Sequence, residues 1–237
     1  MAEIGRSTGG ICRRSLLGGV IAGIVLVSRH WAEAESMADP AIDQVLIQAA
    51  LNGEGEHVRL LLEQGAGVQA VDADGCTALM RATHGNHPGV ARLLIDAGSD
   101  VNALNAIHDS PYLFAGARGL NEILVMTLAH GADLTSINRF GGTALIPACE
   151  RGHVETVRIL IAAGVNVDHI NRLGWTGLLE AIILSDGGPA HQEIVRLLID
   201  AGADVNLADF DGVTPLQHAY ARGYTAIAQL LEAAGAY

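Results

Sequence analysis

The 237-residue chain contains no lysine, so its 14 cationic side chains are all arginines, and they are outnumbered by 26 aspartates and glutamates. The formal net charge at pH 7 is −12. Phosphate backbones and anionic lipid headgroups are bound mainly by lysine and arginine, which are scarce here. We therefore expect neither nucleic acid nor a membrane surface among the partners of this protein.

Motifs of hydrolytic and metal-dependent enzymes are also missing. Residues 35–237 contain no H-E-x-x-H, C-x-x-C or G-x-S-x-G motif. The stretch "NGEGEH" at residues 52–57 has two glycines but neither a lysine nor a preceding strand, so it is not expected to form a phosphate-binding loop. Glu150 and Glu180 are lone carboxylates, which we expect to be solvated. The sequence predicts no catalytic residue, no metal and no cofactor, and a metal-dependent enzyme is the least favoured function.

Residues 1–34 have the features of a cleavable export signal. Arg13 and Arg14 precede an uncharged stretch of 14 residues, and "AEA" at residues 32–34 suits a signal peptidase. The paired arginines are similar to a twin-arginine signal, which carries folded proteins across a bacterial inner membrane. The uncharged stretch is short against the ~20 residues that span a bilayer. We expect export to the periplasm by the twin-arginine or general secretory route, with an inner-membrane anchor or secretion as alternatives.

The rest of the chain is a sequence repeat of about 33 residues. A glycine recurs at steps of 33, 33, 33, 38 and 33 residues, at Gly65, Gly98, Gly131, Gly164, Gly202 and Gly235. Two further columns keep this register, one of Asp or Asn and one of Thr or Ser. Their members are Asp72, Asn105, Asn138, Asn171 and Asp209, and Thr77, Ser110, Thr143, Thr176 and Thr214. The columns predict one repeat domain, residues 35–237, with units at about 39–71, 72–104, 105–137, 138–170, 171–208 and 209–237, which we number one to six.

Each unit reads as two short helices. In repeat four, Thr143 suits an N-cap, whose hydroxyl accepts a free backbone N–H of the first turn. The stretch "VETVRILIA" at residues 154–162 places apolar side chains on one face of a second helix, and Gly164 supplies a left-handed stop. The link to the next unit alternates Val165 and Val167 ahead of an Asn and a Gly, which suits an extended hairpin.

The first-helix segments are "TALMRA", "SPYLFA", "TALIPA", "TGLLEA" and "TPLQHA". With the 33-residue period they closely resemble the ankyrin repeat, whose signature includes T-P-L-H-x-A. The resemblance covers residues 41–237, although the signature histidine is replaced by Met80, Leu113, Ile146, Leu179 and Gln217. It implies an all-α repeat solenoid of about six stacked units including caps, each a helix pair with a β-hairpin turn. The export signal makes the chain similar to periplasmic ankyrin proteins of proteobacteria.

The resemblance also implies a binding face, built from the turn tips and the exposed ends of the first helices. The third turn position is apolar in three consecutive units, and further rings lie beside it in a chain with only three Phe, four Tyr and two Trp. The candidate anchors are Ile107, Phe140, Leu173, Trp175 and Phe210. Arg118, Arg151 and Arg222 share a late first-helix column and form a candidate cationic strip. Rings that pack between adjacent turns, and solvated arginines, are the alternatives for these residues.

We therefore expect a non-enzymatic, monomeric scaffold in the periplasm that binds or supports an unidentified protein partner. A secreted effector or a toxin-neutralising protein is the alternative from another class.

Three further features lead to expectations. One column of the repeat holds His87, His153 and His191. We expect these histidines to close a turn rather than to bind zinc, because ligands one layer apart cannot share an ion. Cys76 and Cys149 lie about two layers apart, too far for a disulfide, so we expect free thiols with Cys76 the more reactive. The insertion at residues 185–191 contains Gly-Gly-Pro and suits a flexible loop between the helices of repeat five.

Overall fold

The computed structural model describes residues 40–237, and the predicted export signal at residues 1–34 lies outside them. Twelve α-helices in this described part form six pairs. Their bounds are α1 Pro40–Asn52, α2 Gly55–Glu63, α3 Ala78–His84, α4 Pro88–Asp96, α5 Pro111–Arg118, α6 Asn121–Ala129, α7 Leu145–Glu150, α8 Val154–Ala163, α9 Gly177–Ile183, α10 Pro189–Asp200, α11 Pro215–Ala221 and α12 Thr225–Ala233. The predicted all-α solenoid of about six units is confirmed. None of these twelve helices is long and apolar enough to cross a membrane.

The helices stack in two layers. Each first helix packs on the first helix of the next pair, from α1 on α3 to α9 on α11, and the second helices do the same from α2 on α4 to α10 on α12. One unit is too small to bury its apolar stripe alone, so the neighbours share a continuous core. Leu79, Leu145 and Leu178 of three first helices are almost fully buried in it, as are Leu94, Leu160 and Leu198 of three second helices.

The first helices begin at a hydroxyl cap in four of the five repeats that have a leading turn. The hydroxyl accepts from the backbone N–H three residues later in the pairs Thr77–Met80, Ser110–Leu113, Thr176–Leu179 and Thr214–Gln217, at 3.1 to 3.3 Å. These donors occupy the signature-histidine position. The cap therefore uses only a backbone N–H there, while the side chains of Met80, Leu113 and Leu179 are buried in the core.

Repeat four departs from this pattern, and the predicted cap at Thr143 is wrong. Here α7 begins at Leu145, and the Thr143 Oγ1 is buried without a hydrogen-bond partner in the described part of the chain. In the four capped repeats, the N–H four residues after the cap donates to the cap's carbonyl oxygen, as in Glu180 to Thr176 at 3.0 Å. Pro147 occupies that position in repeat four and has no N–H, so this first helical bond cannot form.

The second helix of repeat four matches its prediction. It spans Val154–Ala163, buries Val157 and Leu160, and ends at Gly164, whose φ of +88° lies in the left-handed region. Glycine adopts this conformation without the clash that a Cβ would introduce, which accounts for the return of glycine at this position in every repeat.

The turns between repeats are closed by one side chain rather than by a hairpin of strands. The Asn171 Oδ1 accepts the backbone N–H groups of Leu173 at 2.9 Å and Trp175 at 3.1 Å, and the Asn171 N–H donates to the Trp175 carbonyl oxygen at 3.0 Å. Asp72, Asn105, Asn138 and Asp209 make the same three bonds. An isolated bridge between Val71 and Thr77 is the extent of β-pairing within residues 40–237. The Asp and Asn column therefore exists because a short side-chain acceptor can cap its own turn.

The insertion in repeat five is only in part a loop. Residues 189–191 form the first turn of α10, so the prediction of a loop over residues 185–191 is wrong for its last three residues. The remainder is anchored, because the Tyr224 hydroxyl donates to the Ser185 carbonyl oxygen at 2.6 Å and the Gln192 Nε2 donates to that of Gly187 at 2.8 Å.

Candidate functional site

A groove of about 530 Å³ opens between the turns and the first helices of repeats three, four and five, and we call it the central groove. One turn tip from each repeat lines its rim. These tips are Ile107, Phe140 and Leu173, whose side chains remain 50%, 56% and 54% exposed. Three large apolar side chains in one row, half in water, form the kind of surface that marks an interaction site.

The geometry of the turns explains why the tips face solvent. The backbone N–H of each tip residue points inward to the side chain of the turn's first residue, with Ile107 on Asn105 at 3.0 Å and Phe140 on Asn138 at 2.8 Å. Adjacent turns are also tied together, because the Arg172 N–H donates to the Phe140 carbonyl oxygen at 3.0 Å. The backbone is thus held in place while about half of each tip side chain stays exposed to solvent.

The floor of the groove comes from the residue after the signature-histidine position in each first helix. In repeats two and six this residue contacts the aspartate that begins its own turn. The Arg81 Nε lies 2.6 Å from the Asp72 Oδ2, and the His218 Nε2 lies 2.8 Å from the Asp209 Oδ2. In repeats three and four it is Phe114 and Pro147, both of which line the groove. The floor position is therefore apolar in repeats three and four and polar in repeats two and six.

In repeat five the same position is Glu180, and it is buried, so the expectation of a solvated carboxylate is wrong. Only 6% of the residue is exposed, and its Oε1 accepts the Asn171 Nδ2 at 2.7 Å. Burial and the nearby negative charge of Glu150 raise the pKa of Glu180 to about 7. The groove therefore contains a carboxyl group that changes its charge near neutral pH.

Three arginines line the groove as well. The Arg118 guanidinium lies 5.4 Å from the centre of the Phe114 ring, and the Arg151 Nη1 donates to the Ala117 carbonyl oxygen at 2.5 Å. Arg139 covers the Phe140 ring at 4.7 Å and lies 3.4 Å from a carboxylate oxygen of Asp109. Cations over aromatic faces are held in place without losing their charge.

Five of the eight predicted binding residues come together in the groove, namely Ile107, Phe140, Leu173, Arg118 and Arg151. Trp175, Phe210 and Arg222 do not line it. Trp175 is half-buried, and Arg222 is exposed at the end of α11. Phe210 is 75% exposed, but its ring covers Gly174 of the preceding turn, where an added Cβ would lie 2.5 Å from the ring.

Sequence reasoning missed the floor and part of the charge in the groove. Phe114, Pro147, Arg139 and Leu184 line it but stand outside the column of turn tips. The floor column was visible as the variable letter of T-P-L-H-x-A, which changes from Arg to Phe, Pro, Glu and His along the chain. The change from charged to apolar and back was the available signal.

Two members of the histidine column connect neighbouring repeats. The His87 Nε2 lies 3.0 Å from the Leu51 carbonyl oxygen and the His191 Nε2 lies 3.0 Å from that of Glu150, so these histidines bridge to the preceding repeat. No group of three His, Cys, Asp or Glu side chains within residues 40–237 could hold a metal ion.

Cys76 and Cys149 are free, as predicted, but both are buried, and burial raises the pKa of each thiol. The expectation of a reactive Cys76 is therefore wrong, because a buried thiol seldom forms its nucleophilic thiolate.

Comparison with known proteins agrees with this architecture. The sequence matches the family of ankyrin repeats (3 copies) over residues 24–105 and 113–209, and that of ankyrin repeats (many copies) over residues 188–232. The structure is similar to an ankyrin repeat domain of Acinetobacter baumannii AYE, ABAYE2397, which is 60% identical with a TM-score of 0.79 over 81% of this chain and 98% of that one. It is also similar to the ankyrin repeat protein EF0377, which is 42% identical with a TM-score of 0.76 over 79% of this chain and 96% of that one.

Among curated proteins, the putative ankyrin repeat protein YahD of Escherichia coli (strain K12) is 57% identical over 58 residues. The match spans 24% of this chain and only 29% of the length of YahD. From its 33-residue period, its six helix pairs and these matches, the chain belongs to the ankyrin repeat family.

Proposed function

We propose that the chain is a non-enzymatic scaffold that binds a protein partner in the central groove. The observation that carries this proposal is the row of Ile107, Phe140 and Leu173 above an apolar floor. Desolvating such side chains against a partner is favourable, and the ordered turns below them lose little conformational entropy on binding. Membership of the ankyrin family supports a protein partner, and the net charge of −12 argues against nucleic acid.

We further propose that the partner is met in the periplasm. This rests on Arg13, Arg14 and the "AEA" site in the sequence. A domain stabilised by contacts between neighbouring repeats folds as one stack, which suits a twin-arginine route that transports folded proteins. Replacing both arginines by lysine should retain the chain in the cytoplasm, as measured by cell fractionation. Unchanged fractionation would leave the general secretory route or contradict export altogether, and a block of the Sec translocase then decides between them.

Crosslinked capture from periplasmic extract tests the binding face. The full chain is compared with Phe140→Asp and with Val125→Asp, a matched control whose side chain is 50% exposed on the second helix α6. The parent and the control should capture the same protein, and Phe140→Asp should lose it while keeping its helical circular dichroism. Capture that survives Phe140→Asp, or is lost equally in both variants, contradicts the groove as the binding face.

A further inference from the structure

The central groove contains four charged side chains without a partner of opposite charge. Arg118, Glu150, Arg151 and Glu180 line it, and none of them forms an ion pair within residues 40–237. In repeats two and six, by contrast, the floor residues Arg81 and His218 each lie within bonding distance of an aspartate of their own turn. Arg118, Arg151 and Glu150 are therefore available to a bound molecule, and the buried Glu180 reaches the groove with the small part of its side chain that is exposed.

These charges are separated along the stack. The Arg151 side chain reaches back to the Ala117 carbonyl oxygen of repeat three, so its positive charge lies on the same side as Arg118. Glu180 belongs to repeat five, where burial first and the charge of Glu150 second raise its pKa, with smaller opposing effects of the Asn171 hydrogen bond and of the Arg151 charge. The groove thus has a positive end toward repeat three and a negative end toward repeat five.

The other arginines near the groove do not cancel this polarity. Arg139 is paired with Asp109, on the side of repeat three. Arg172 belongs to the turn of repeat five but folds back toward repeat four, where its Nη1 donates to the Arg139 carbonyl oxygen at 2.6 Å. The negative end therefore keeps two carboxyl groups, Glu150 and Glu180, that form no ion pair within residues 40–237. Arg151 is close enough to lower the pKa of Glu180, but its guanidinium is bonded to the Ala117 carbonyl oxygen of repeat three.

The spacing of the repeats suits an extended chain. Packed helices lie ~8–10 Å apart, and an extended peptide advances ~3.3 Å per residue, so one repeat corresponds to about three peptide residues. The two charged ends lie one to two repeats apart, with Phe140 and Pro147 between them. A peptide that crosses from one end to the other would cover this apolar middle with roughly three to six residues.

We propose that the central groove binds an extended segment of the partner protein that carries an acidic residue at the repeat-three end, a basic residue at the repeat-five end and apolar residues between them. The inference rests on the proposed scaffold function and specifies its partner chemistry. The acidic residue pairs with Arg118 and Arg151, and the basic residue lies between Glu150 and Glu180. Two opposite charges at a set distance would select one register of the segment and disfavour the reversed one.

Binding of the basic residue has a measurable consequence in proton release. A cation beside Glu180 favours its ionised form, so near pH 6.5 the complex should release a proton that the free protein holds. The charged groups around Glu180 are Glu150 and Arg151 of α7. His218 of α11, the helix stacked on α9, is held by Asp209. Glu180→Gln removes this proton release and leaves that of any histidine unchanged.

The test uses fluorescein-labelled synthetic peptides with one aspartate and one arginine placed two to seven residues apart, in both orders, with leucine and valine between them. Anisotropy with the full chain should show about tenfold tighter binding than for peptides with serine at both charged positions, at a separation of three to six residues. Arg118→Gln should abolish the preference for aspartate, and Glu180→Gln the preference for arginine together with the calorimetric proton release. Arg222→Gln, outside the groove, serves as the matched control and should retain both.

Peptide binding that ignores charge, charge preferences that survive both groove variants, or no peptide binding at all would each overturn the inference. The scaffold proposal has its own test and can survive this result. If Phe140→Asp abolishes partner capture while no peptide discriminates by charge, the groove is the binding face and only its proposed polarity is wrong. If Phe140→Asp also leaves capture intact, both proposals fail.

Discussion

The Thr143 hydroxyl is buried without a hydrogen-bond partner within residues 40–237, and Pro147 stands where the other repeats supply an N–H to the cap carbonyl. Thr176, at the matching position of repeat five, caps its helix by accepting the Leu179 N–H at 3.2 Å. Two threonines in one sequence column are thus in opposite hydrogen-bonding states. The proline four residues after Thr143 accounts for the difference, since it removes the bond that holds the first turn.

This difference predicts opposite responses to the same substitution. Thr143→Val replaces an unsatisfied hydroxyl by a methyl group of similar size, so the free energy of unfolding should stay the same or rise. Thr176→Val removes a working cap and should lower it by about 1 kcal/mol. Urea denaturation of the two variants and the parent measures this, and an equal loss in both variants would show that the Thr143 hydroxyl is bonded after all.

The raised pKa of Glu180 predicts that the free energy of unfolding declines as the pH rises toward neutrality. The pKa of Glu180 is raised from 4.5 to about 7, so between these values the folded chain binds a proton that the unfolded chain has released. The free energy of unfolding should therefore fall across this range and be restored on acidification. Glu180→Gln should remove this part of the decline and stabilise the protein at about pH 8 by roughly 1–3 kcal/mol. The exposed Glu122→Gln is the matched control, and an equal pH profile in both variants would contradict the assignment.

The position of the Phe210 ring against Gly174 predicts that alanine at Gly174 lowers the free energy of unfolding more than alanine at Gly212 does. Gly174 and Gly212 have φ of +82° and +78°, but only at Gly174 would a Cβ meet the Phe210 ring. Gly212→Ala should cost about 1–2 kcal/mol from backbone strain, and Gly174→Ala clearly more. Adding Phe210→Ala should make the two costs equal. If the costs are already equal in the parent, the ring does not pack on this turn, and Phe210 is free to serve as an anchor.

Burial of both thiols predicts slow chemical modification. Cys76 and Cys149 are 1% and 0% exposed. Labelling with a thiol reagent should be much slower in the native protein than in urea, because the thiols become accessible only when the stack opens. Rapid labelling of Cys76 alone in the native protein would contradict its burial and support a reactive turn thiol.

The local features of one repeat were predictable because they depend on neighbouring residues in the chain. The hydroxyl caps at Thr176 and Thr214, the glycine stop at Gly164 and the apolar face of α8 each follow from a few consecutive residues. The absence of a cap at Thr143 has a local cause too, since Pro147 has no N–H to donate to the Thr143 carbonyl oxygen.

The site was less predictable because it depends on stacking. Leu173 and Trp175 lie two residues apart in one turn, yet only Leu173 faces the central groove. Glu180 has the sequence surroundings of a solvated acid, but Asn171 and the neighbouring helix α7 enclose it. The insertion was expected to be a loop because its Gly-Gly-Pro composition is typical of loops, yet residues 189–191 form a helical turn.

The sequence by itself determined the architecture of this protein, since a 33-residue period of caps, apolar faces and glycine stops is satisfied by one kind of stack. The tertiary structure decided which side chains share the central groove and which charges remain unpaired there. The physical reason is distance. Caps and helix ends are formed by residues within a few positions of each other, whereas the burial of Glu180 and the row of Ile107, Phe140 and Leu173 arise only when residues one repeat apart are brought side by side.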